Sequence, residues 1–202
     1  MRDRGETEIG GFGIAETDDP LLVTDIELVD QLCTSVSVKF ADQAVADFFD
    51  REVDQGLRPA QFARIWVHTH PGRCPEPSFT DEQTFERVFG QTDWSVMFIL
   101  ACGGQTYARL QFSAGPGGAL TIPVRVDFSF PFTASDEAAW DAEYLAKVTA
   151  DPMDWLTRDP LAVDGKSGLQ SDPQVVAAAA QQTSNIDRYN PFYDGEEYWN
   201  GY

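Results

Sequence analysis

Hydrophobic positions that alternate with polar ones, or that run together, predict a series of strands along the first two thirds of the chain. These predicted strands cover residues 21–29, 35–40, 95–102, 106–112 and 119–130. Gly103-Gly104 links two of them and is typical of a two-residue β-hairpin turn, because glycine adopts positive φ without strain. The first two segments are expected to form an antiparallel meander.

Apolar positions with helical spacing predict three helices between and after these strands. Their expected apolar stripes are Val45, Phe48, Phe49 and Val53 in residues 42–55; Phe85, Val88 and Phe89 in residues 81–89; and Trp140, Tyr144, Leu145 and Val148 in a helix that starts near Ser135. Thr80 with Gln83 forms a capping-box pattern, which places the start of the second helix near Asp81. Strands on both sides of that helix predict an α/β fold class, with a mixed, mostly antiparallel sheet flanked by helices.

The chain is strongly acidic, with a formal net charge of -19 and a sequence pI of about 4.2. Because nucleic acids and acidic membranes attract proteins through Lys and Arg, this charge argues against nucleic-acid and membrane partners. Three widely spaced cysteines suit neither a disulfide framework nor a Cys-x-x-Cys metal site, and no apolar run is long enough for a signal segment or membrane span. A cytoplasmic location with reduced thiols is expected.

Both histidines of the chain lie in one stretch, residues 66–71. The strand preference of the apolar residues before them predicts that His68 and His70 project from the same face of a strand. Asp81 follows a proline-rich loop, at the expected start of a helix. Two neutral imidazoles and one carboxylate form a three-ligand set that leaves a fourth zinc position for water. Trp66, in the same stretch, is expected to lie in the core.

The spacing His68-x-His70-Pro, followed by Ser78-x-x-Asp81, resembles the signature of JAMM metalloproteases. These are the catalytically competent MPN-domain proteins, and they include deubiquitinases. The resemblance covers roughly residues 6–130 and implies a single MPN-like α/β domain. It further implies that His68, His70 and Asp81 bind Zn²⁺, that Ser78 helps to stabilise a tetrahedral oxyanion, and that an upstream glutamate takes part in catalysis.

Three glutamates near the start of the chain are candidates for that role. Glu8 precedes an apolar run with Gly11 and Gly13, as the glutamate strand of the family does, and has the best register. Glu6 would share the face of Glu8 on an extended strand, whereas Glu16 falls in a turn-like segment where solvent exposure is expected. Glu8 is the predicted catalytic glutamate, and Glu6 and Glu16 are its alternatives.

The chain length of 202 residues fits one domain with a C-terminal extension that is first helical and then irregular. Residues 1–132 are expected to form the JAMM/MPN-like catalytic domain and residues 133–158 a docking helix. Residues 159–202 form a linker-like arm that ends in an acidic, aromatic tail. The tail is expected to fold back or self-associate, or alternatively to recruit a partner, through Phe192, Tyr193, Tyr198 and Trp199.

The resemblance implies a hydrolase, namely a zinc-dependent isopeptidase or peptidase that cleaves an amide bond at the C-terminal tail of ubiquitin or a ubiquitin-like protein. Glu8 would take a proton from the attacking water and return it to the leaving amine, while Ser78 would donate to the oxyanion. A non-proteolytic MPN scaffold that binds partners is the alternative from another class, and the intact ligand set argues against it. Cys74 lies in the motif loop and is expected to be a bystander thiol.

Overall fold

The computed structural model describes residues 2–129, 134–152 and 154. The strands in this part of the chain are β1 (Gly10–Ala15), β2 (Val23–Glu27), β3 (Gln31–Cys33), β4 (Val38–Phe40), β5 (Ile65–Thr69), β6 (Trp94–Leu100), β7 (Thr106–Phe112), β8 (Gly118–Thr121) and β9 (Val148–Ala150). The helices are α1 (Asp42–Asp54), α2 (Pro59–Phe62), α3 (Phe79–Phe89) and α4 (Glu137–Lys147), with short 3-10 turns at Arg2–Arg4 and Cys102–Gly104.

Six strands form the main sheet, in the order β2-β1-β5-β6-β7-β8. Its neighbouring strands are antiparallel except for β5 and β6, which are parallel. Because a tight turn cannot join two parallel strands, the chain crosses from β5 to β6 through a loop and α3. The predicted α/β class, with a mixed, mostly antiparallel sheet flanked by helices, is confirmed.

A second, three-stranded sheet has the order β4-β3-β9. The strand β4 lies within the predicted strand over residues 35–40, but β3 escapes prediction because three residues are too few to show period-two alternation. The expected meander of segments 21–29 and 35–40 is wrong, since β2 pairs with β1 in the main sheet and β4 pairs with β3. The assignment of Val148 to a helical stripe is wrong, since Val148 begins β9 and pairs in parallel with Gln31. Pairing with β3 and the strand preference of a β-branched residue outweigh its helical spacing.

The main core lies where α1, α2 and α3 meet β1, β5 and β6. Aromatic rings dominate it: the ring centroids of Phe12 and Phe48 lie 4.9 Å apart, and those of Trp66 and Phe85 lie 6.4 Å apart. Its buried members are Phe12, Val29, Phe48, Phe62, Ala63, Trp66, Phe85, Phe89, Met97 and Ile99. The prediction that Trp66 lies in the core is therefore confirmed.

The predicted helical stripes agree with the structure only in part. In α1 the buried residue one turn after Phe48 is Glu52, whereas Val53 is 53% exposed. In α3 Phe85 is buried as predicted, but Val88 is 54% exposed. Both valines lie beside the i, i+4 row that faces the sheet, so their placement in a buried stripe is wrong.

The helix predicted to start near Ser135 is present as α4, which covers only Glu137–Lys147 of the segment 133–158 and is capped by Asp136. The helix buries none of its residues, and Trp140 and Leu145 are 40% and 79% exposed, so the expected buried stripe is wrong. Polar contacts link α4 to neighbouring segments. Its ion pairs include Arg4 with Asp141 and Lys147 with Asp30.

The predicted hairpin is present because β6 and β7 pair antiparallel, but its two-residue turn is wrong: a 3-10 turn at Cys102–Gly104 joins the strands, with φ angles of 76° and 74° at Gly103 and Gly104. The extended segment predicted over residues 119–130 contributes only the short strand β8 to the sheet. Residues 130–133 and the predicted arm and tail, residues 159–202, lie outside the described residues. Among the helices in the described ranges, none combines the length and apolar character needed to traverse a bilayer.

Candidate metal centre

The strand β5 carries His68 into the interior of the protein. The His68 side chain is fully buried, and its ring stacks on Trp66 with centroids 4.2 Å apart and an interplanar angle of 25°. Trp66 precedes His68 by two positions, so both side chains lie on the same face of the strand. The indole therefore supports one side of the imidazole and limits its rotation.

His70 lies one residue beyond the end of β5, where its backbone N–H donates to the carbonyl of Leu100 at 3.0 Å. Its ring nitrogen Nδ1 lies 2.9 Å from the carbonyl oxygen of Cys74. A carbonyl oxygen can only accept, so Nδ1 carries the hydrogen and Nε2 of the neutral ring keeps its lone pair. The backbone carbonyl of Cys74 therefore orients the His70 ring, and Cys74 itself is an exposed free cysteine.

Asp81 lies in the first turn of α3 and is fixed there by Ser78. The Ser78 N–H donates to Asp81 Oδ2 at 2.6 Å, and the Asp81 N–H donates to Ser78 Oγ at 3.2 Å. This reciprocal capping box starts the helix at Phe79. The predicted cap by Thr80 and Gln83 is therefore wrong, because Ser78 and Asp81 already satisfy the first orphan backbone groups two residues earlier.

The two imidazoles and the Asp81 carboxylate converge on one point. His68 Nε2 lies 3.3 Å from Asp81 Oδ1, and His70 Nε2 lies 3.4 Å from Asp81 Oδ2. One potential ligand atom from each of these three residues lies within 4.8 Å of the others, so the group could hold a metal ion. Both Nε2 atoms are buried without a hydrogen bond of acceptable geometry. Buried polar atoms usually have a partner, and a cation between these groups would supply it.

The ionisation states of the three side chains depend on burial and on one another. Burial lowers the pKa of His68 and is only partly opposed by Asp81, which favours the neutral imidazole that metal ligation requires. Burial also acts to lower the pKa of His70, but Asp81, the Cys74 carbonyl and Glu8 raise it overall. Burial acts against ionisation of Asp81, yet His68, His70 and the Ser78 N–H together hold its pKa well below its usual range.

Glu8 reaches this cluster from the segment just before β1, the strand beside β5. The antiparallel register pairs Gly10 with His68, so Glu8, two residues earlier, stands across from His70. Glu8 is only 5% exposed, and its Oε1 lies 3.8 Å from His70 Nε2. Burial first, and then the charge of Asp81, raises the pKa of Glu8 to about 8, although His70 acts in the opposite direction.

The structure separates the three candidate glutamates. Glu8 lies in the cluster, whereas Glu6 and Glu16 are exposed. A close approach between β1 and β2 explains one glycine of the run after Glu8, because a Cβ atom on Gly11 would lie 2.6 Å from the carbonyl oxygen of Glu27. Glycine at this position lets the two strands pair without displacing either backbone.

Arg109 on β7 contacts the first turn of α3 and has no sequence signature that predicts this role. Its Nη1 and Nη2 donate to the two carboxylate oxygens of Glu82, both at 2.6 Å. Glu82 directly follows Asp81, so this pair ties the ligand-bearing turn to the sheet. The partners are 27 positions apart, and only the pairing of β6 with β7 places Arg109 beside α3.

Comparison with known proteins finds no family model and no curated protein that match the chain. The inference about function therefore rests on the geometry of His68, His70, Asp81 and Glu8. The buried group of two imidazoles and one carboxylate lies where two strands meet the start of a helix, and such a group can bind a cation. The second carboxylate, from Glu8, can exchange protons with a water molecule held nearby.

Proposed function

We propose that the protein is a zinc-dependent isopeptidase or peptidase that hydrolyses an amide bond at the C-terminal tail of ubiquitin or a ubiquitin-like protein. The observation that carries the proposal is the convergence of the ligand atoms of His68, His70 and Asp81 within 4.8 Å, with Glu8 3.8 Å from His70 Nε2. The class of substrate rests on the resemblance of residues 68–81 to the JAMM signature.

His68, His70 and Asp81 would hold the zinc ion. Two imidazoles and a carboxylate are a donor set that zinc accepts, and three protein ligands leave a position for substrate or water. Zinc, when bound, supplies Lewis acidity that polarises a carbonyl and lowers the pKa of a water molecule. The contacts from Trp66 to His68 and from the Cys74 carbonyl to His70 keep both rings aimed at Asp81.

Glu8 acts as the proton carrier in this proposal. Its carboxylate takes a proton from the attacking water and delivers it to the nitrogen of the leaving amine, so the same group serves as general base and then as general acid. Burial raises the pKa of Glu8 to about 8, which makes its carboxylate a stronger base than an exposed one, and a bound cation would act to lower this pKa.

Ser78 stabilises the oxyanion that forms as the amide carbonyl is attacked. In the helix cap its Oγ accepts from the Asp81 N–H at 3.2 Å, which uses an oxygen lone pair and leaves the hydroxyl hydrogen available. Ser78 is exposed, so a substrate can reach that hydrogen. The same hydroxyl can therefore cap α3 and donate to the developing negative charge.

The test combines metal analysis with cleavage of a panel of ubiquitin-like fusion proteins by the full chain. We expect about one zinc ion per chain, loss of zinc and activity together in His68→Ala, and retained zinc without cleavage in Glu8→Gln. Glu6→Gln is the matched control and should cleave like the unaltered protein. Binding of a fusion without cleavage by the zinc-loaded protein would favour the non-proteolytic scaffold instead. Zinc content in His68→Ala equal to that of the unaltered protein would refute the ligand assignment.

A further inference from the structure

The side chain of Gln31 reaches from the small sheet into the main sheet. Gln31 opens β3 and is only 3% exposed. Its Oε1 accepts from the Gly10 N–H at 2.8 Å and from the Cys33 thiol at 3.3 Å, and its Nε2 donates to the carbonyls of Gly10 at 2.8 Å and Val29 at 2.9 Å. A primary amide offers two acceptor sites and two donor hydrogens, so these contacts use its full capacity.

Gly10 needs this partner because β2 ends too early. The β1–β2 register pairs Phe12 with Glu27, and β2 stops at Glu27. If the register continued, residue 29 would stand opposite Gly10; the chain instead turns toward β3. The Gln31 amide supplies the donor and the acceptor that the missing strand residue would have supplied. The amide orientation is also fixed, because its reverse would place two donors against each other at the Gly10 N–H.

The clamped residue lies at the candidate site. Gly10 pairs with His68 on β5, and Glu8 is two positions earlier on the same strand face. Between them, the Ile9 N–H donates to Thr69 Oγ1 at 3.1 Å. On the side away from β5, the Glu8 N–H donates to the Thr34 carbonyl at 2.8 Å and the Gln31 amide holds Gly10, so these two contacts together fix the backbone around Glu8.

We propose that Gln31 is a positioning residue, which holds the Glu8 end of β1 in register with β5 and so keeps the Glu8 carboxylate beside the metal ligands. The effect on catalysis rests on the proposed role of Glu8 as general base. Cys33 supports the clamp from its other side: burial, and then the charge of Glu8, raises the pKa of its thiol to about 12. The thiol therefore keeps the hydrogen that it donates to Gln31.

The first test compares Gln31→Met with the unaltered full chain, both loaded with zinc, on the fusion protein that the unaltered chain cleaves best. Methionine has nearly the volume of glutamine but makes none of its hydrogen bonds. We expect kcat to fall at least about tenfold, with KM and zinc content unchanged, because only the proton carrier is displaced. Thr92→Val removes hydrogen bonds at the far end of α3 and is the control for general destabilisation. A kcat within about twofold of the control would overturn the proposal.

The second test is amide hydrogen exchange, which requires no substrate. In Gln31→Met the amides of residues 8–10 should exchange at least about tenfold faster, while those of β6 and β7 keep their rates. Equal acceleration throughout the sheet, or no change at residues 8–10, would overturn the positioning role. Hydrogen exchange separates the positioning role of Gln31 from the proposed isopeptidase function. If the unaltered chain cleaves no fusion protein, the proposed function is refuted, but the exchange rates still decide the role of Gln31.

A measurement on the unaltered chain decides the question if Gln31→Met does not fold. The Gly10 amide, held by Gln31, should exchange as slowly as the amide of Phe12, which lies in the regular β1–β2 ladder. Exchange of the Gly10 amide at the rate of the exposed edge strand β8 would overturn the proposal.

Discussion

The carboxylate of Asp81 serves both the fold and the candidate site. Asp81 Oδ2 accepts from the Ser78 N–H at 2.6 Å and also lies 3.4 Å from His70 Nε2. The helix cap therefore sets the rotamer of the same group that faces the imidazoles. Because the cap forms with α3, the carboxylate is oriented before any ligand arrives, which lowers the entropy cost of binding.

Glu8→Gln should abolish most of the cleavage activity and leave zinc content unchanged. The amide keeps the shape of the carboxylate but cannot accept a proton from water, and loss of a general base costs about 10²–10⁴-fold in rate. Steady-state kinetics with metal analysis on the same samples measures both properties. If Glu6→Gln lost the activity and Glu8→Gln kept it, the general base would be Glu6.

Glu8 also makes the stability of the chelator-treated protein depend on pH. Burial raises the pKa of Glu8 from 4.5 to about 8, so between these values the folded protein binds a proton that the unfolded chain releases. The stability that Glu8 contributes therefore falls as the pH rises through this window. Glutamine cannot titrate, so the melting temperature of the unaltered protein should fall relative to that of Glu8→Gln between about pH 5 and pH 8.5. Glu6→Gln, at an exposed position, is the control; a constant gap between the unaltered protein and Glu8→Gln would contradict this assignment.

Several site residues can be predicted from sequence because their geometry is local. Strand alternation places His68 and His70 on one face, and the helix start predicted near Asp81 places this residue in a first turn, although the cap is Ser78 with Asp81 and not Thr80 with Gln83. The same alternation predicts that Trp66 lies on the strand face of His68. Gln31 and Arg109 cannot be predicted in this way, since each acts on a distant segment that only the sheet topology brings near.

At the level of elements, the crossover helix α3 holds one candidate metal ligand, Asp81, and is anchored at that end. The Arg109–Glu82 pair ties its first turn to β7, and the guanidinium also lies 5.4 Å from the centroid of the Phe85 ring. The side chain of Glu82 is 41% exposed, so solvent screens the ion pair and its contribution to stability is modest. Its main effect is on the position of Asp81.

Arg109→Met should lower the free energy of unfolding by about 0.2–1 kcal/mol, the range for partly exposed ion pairs, while weakening zinc binding about tenfold. The methionine keeps the apolar contact with Phe85 but releases Glu82. Denaturant unfolding and competition with a zinc chelator measure the two effects. Arg64→Met is the matched control, because it removes the ion pair with Asp93 away from α3. Equal zinc affinity in the two variants would show that the Glu82 pair does not position the site.

Sequence predicts well those helices and strands in which the apolar positions repeat over several periods. The helix α1 and the strand β7 match their predicted ranges almost residue for residue, because each shows repeated apolar positions. The three-residue β3 and four-residue α2 carry no measurable period. The predicted burial of the apolar stripe of α4 fails for another reason. Helical spacing identifies an apolar stripe but does not show whether another surface covers it.

At the scale of the whole molecule, the acidic aromatic tail keeps its sequence-based prediction. Deleting residues 160–202 should lower the melting temperature or the number of chains per particle measured by light scattering, because burying several aromatic rings contributes about 1.5–3 kcal/mol each. Serine substitutions at Phe192, Tyr193, Tyr198 and Trp199 in the full-length chain are the matched control for chain length. Unchanged melting and an unchanged number of chains per particle in both variants would leave a recruiting motif as the remaining role of the tail.

The order in which the candidate site assembles follows from the position of its parts along the chain. His68 and Asp81 are separated by 13 positions, whereas Glu8 and His68 are separated by 60. The entropy lost on closing a loop grows with its length, and for these two loops the difference is about 1 kcal/mol. Loop entropy alone therefore favours bringing the histidines and the aspartate together before Glu8 joins them as β1 docks on β5. Under the proposed function, a partly folded chain would then bind metal before it could hydrolyse substrate.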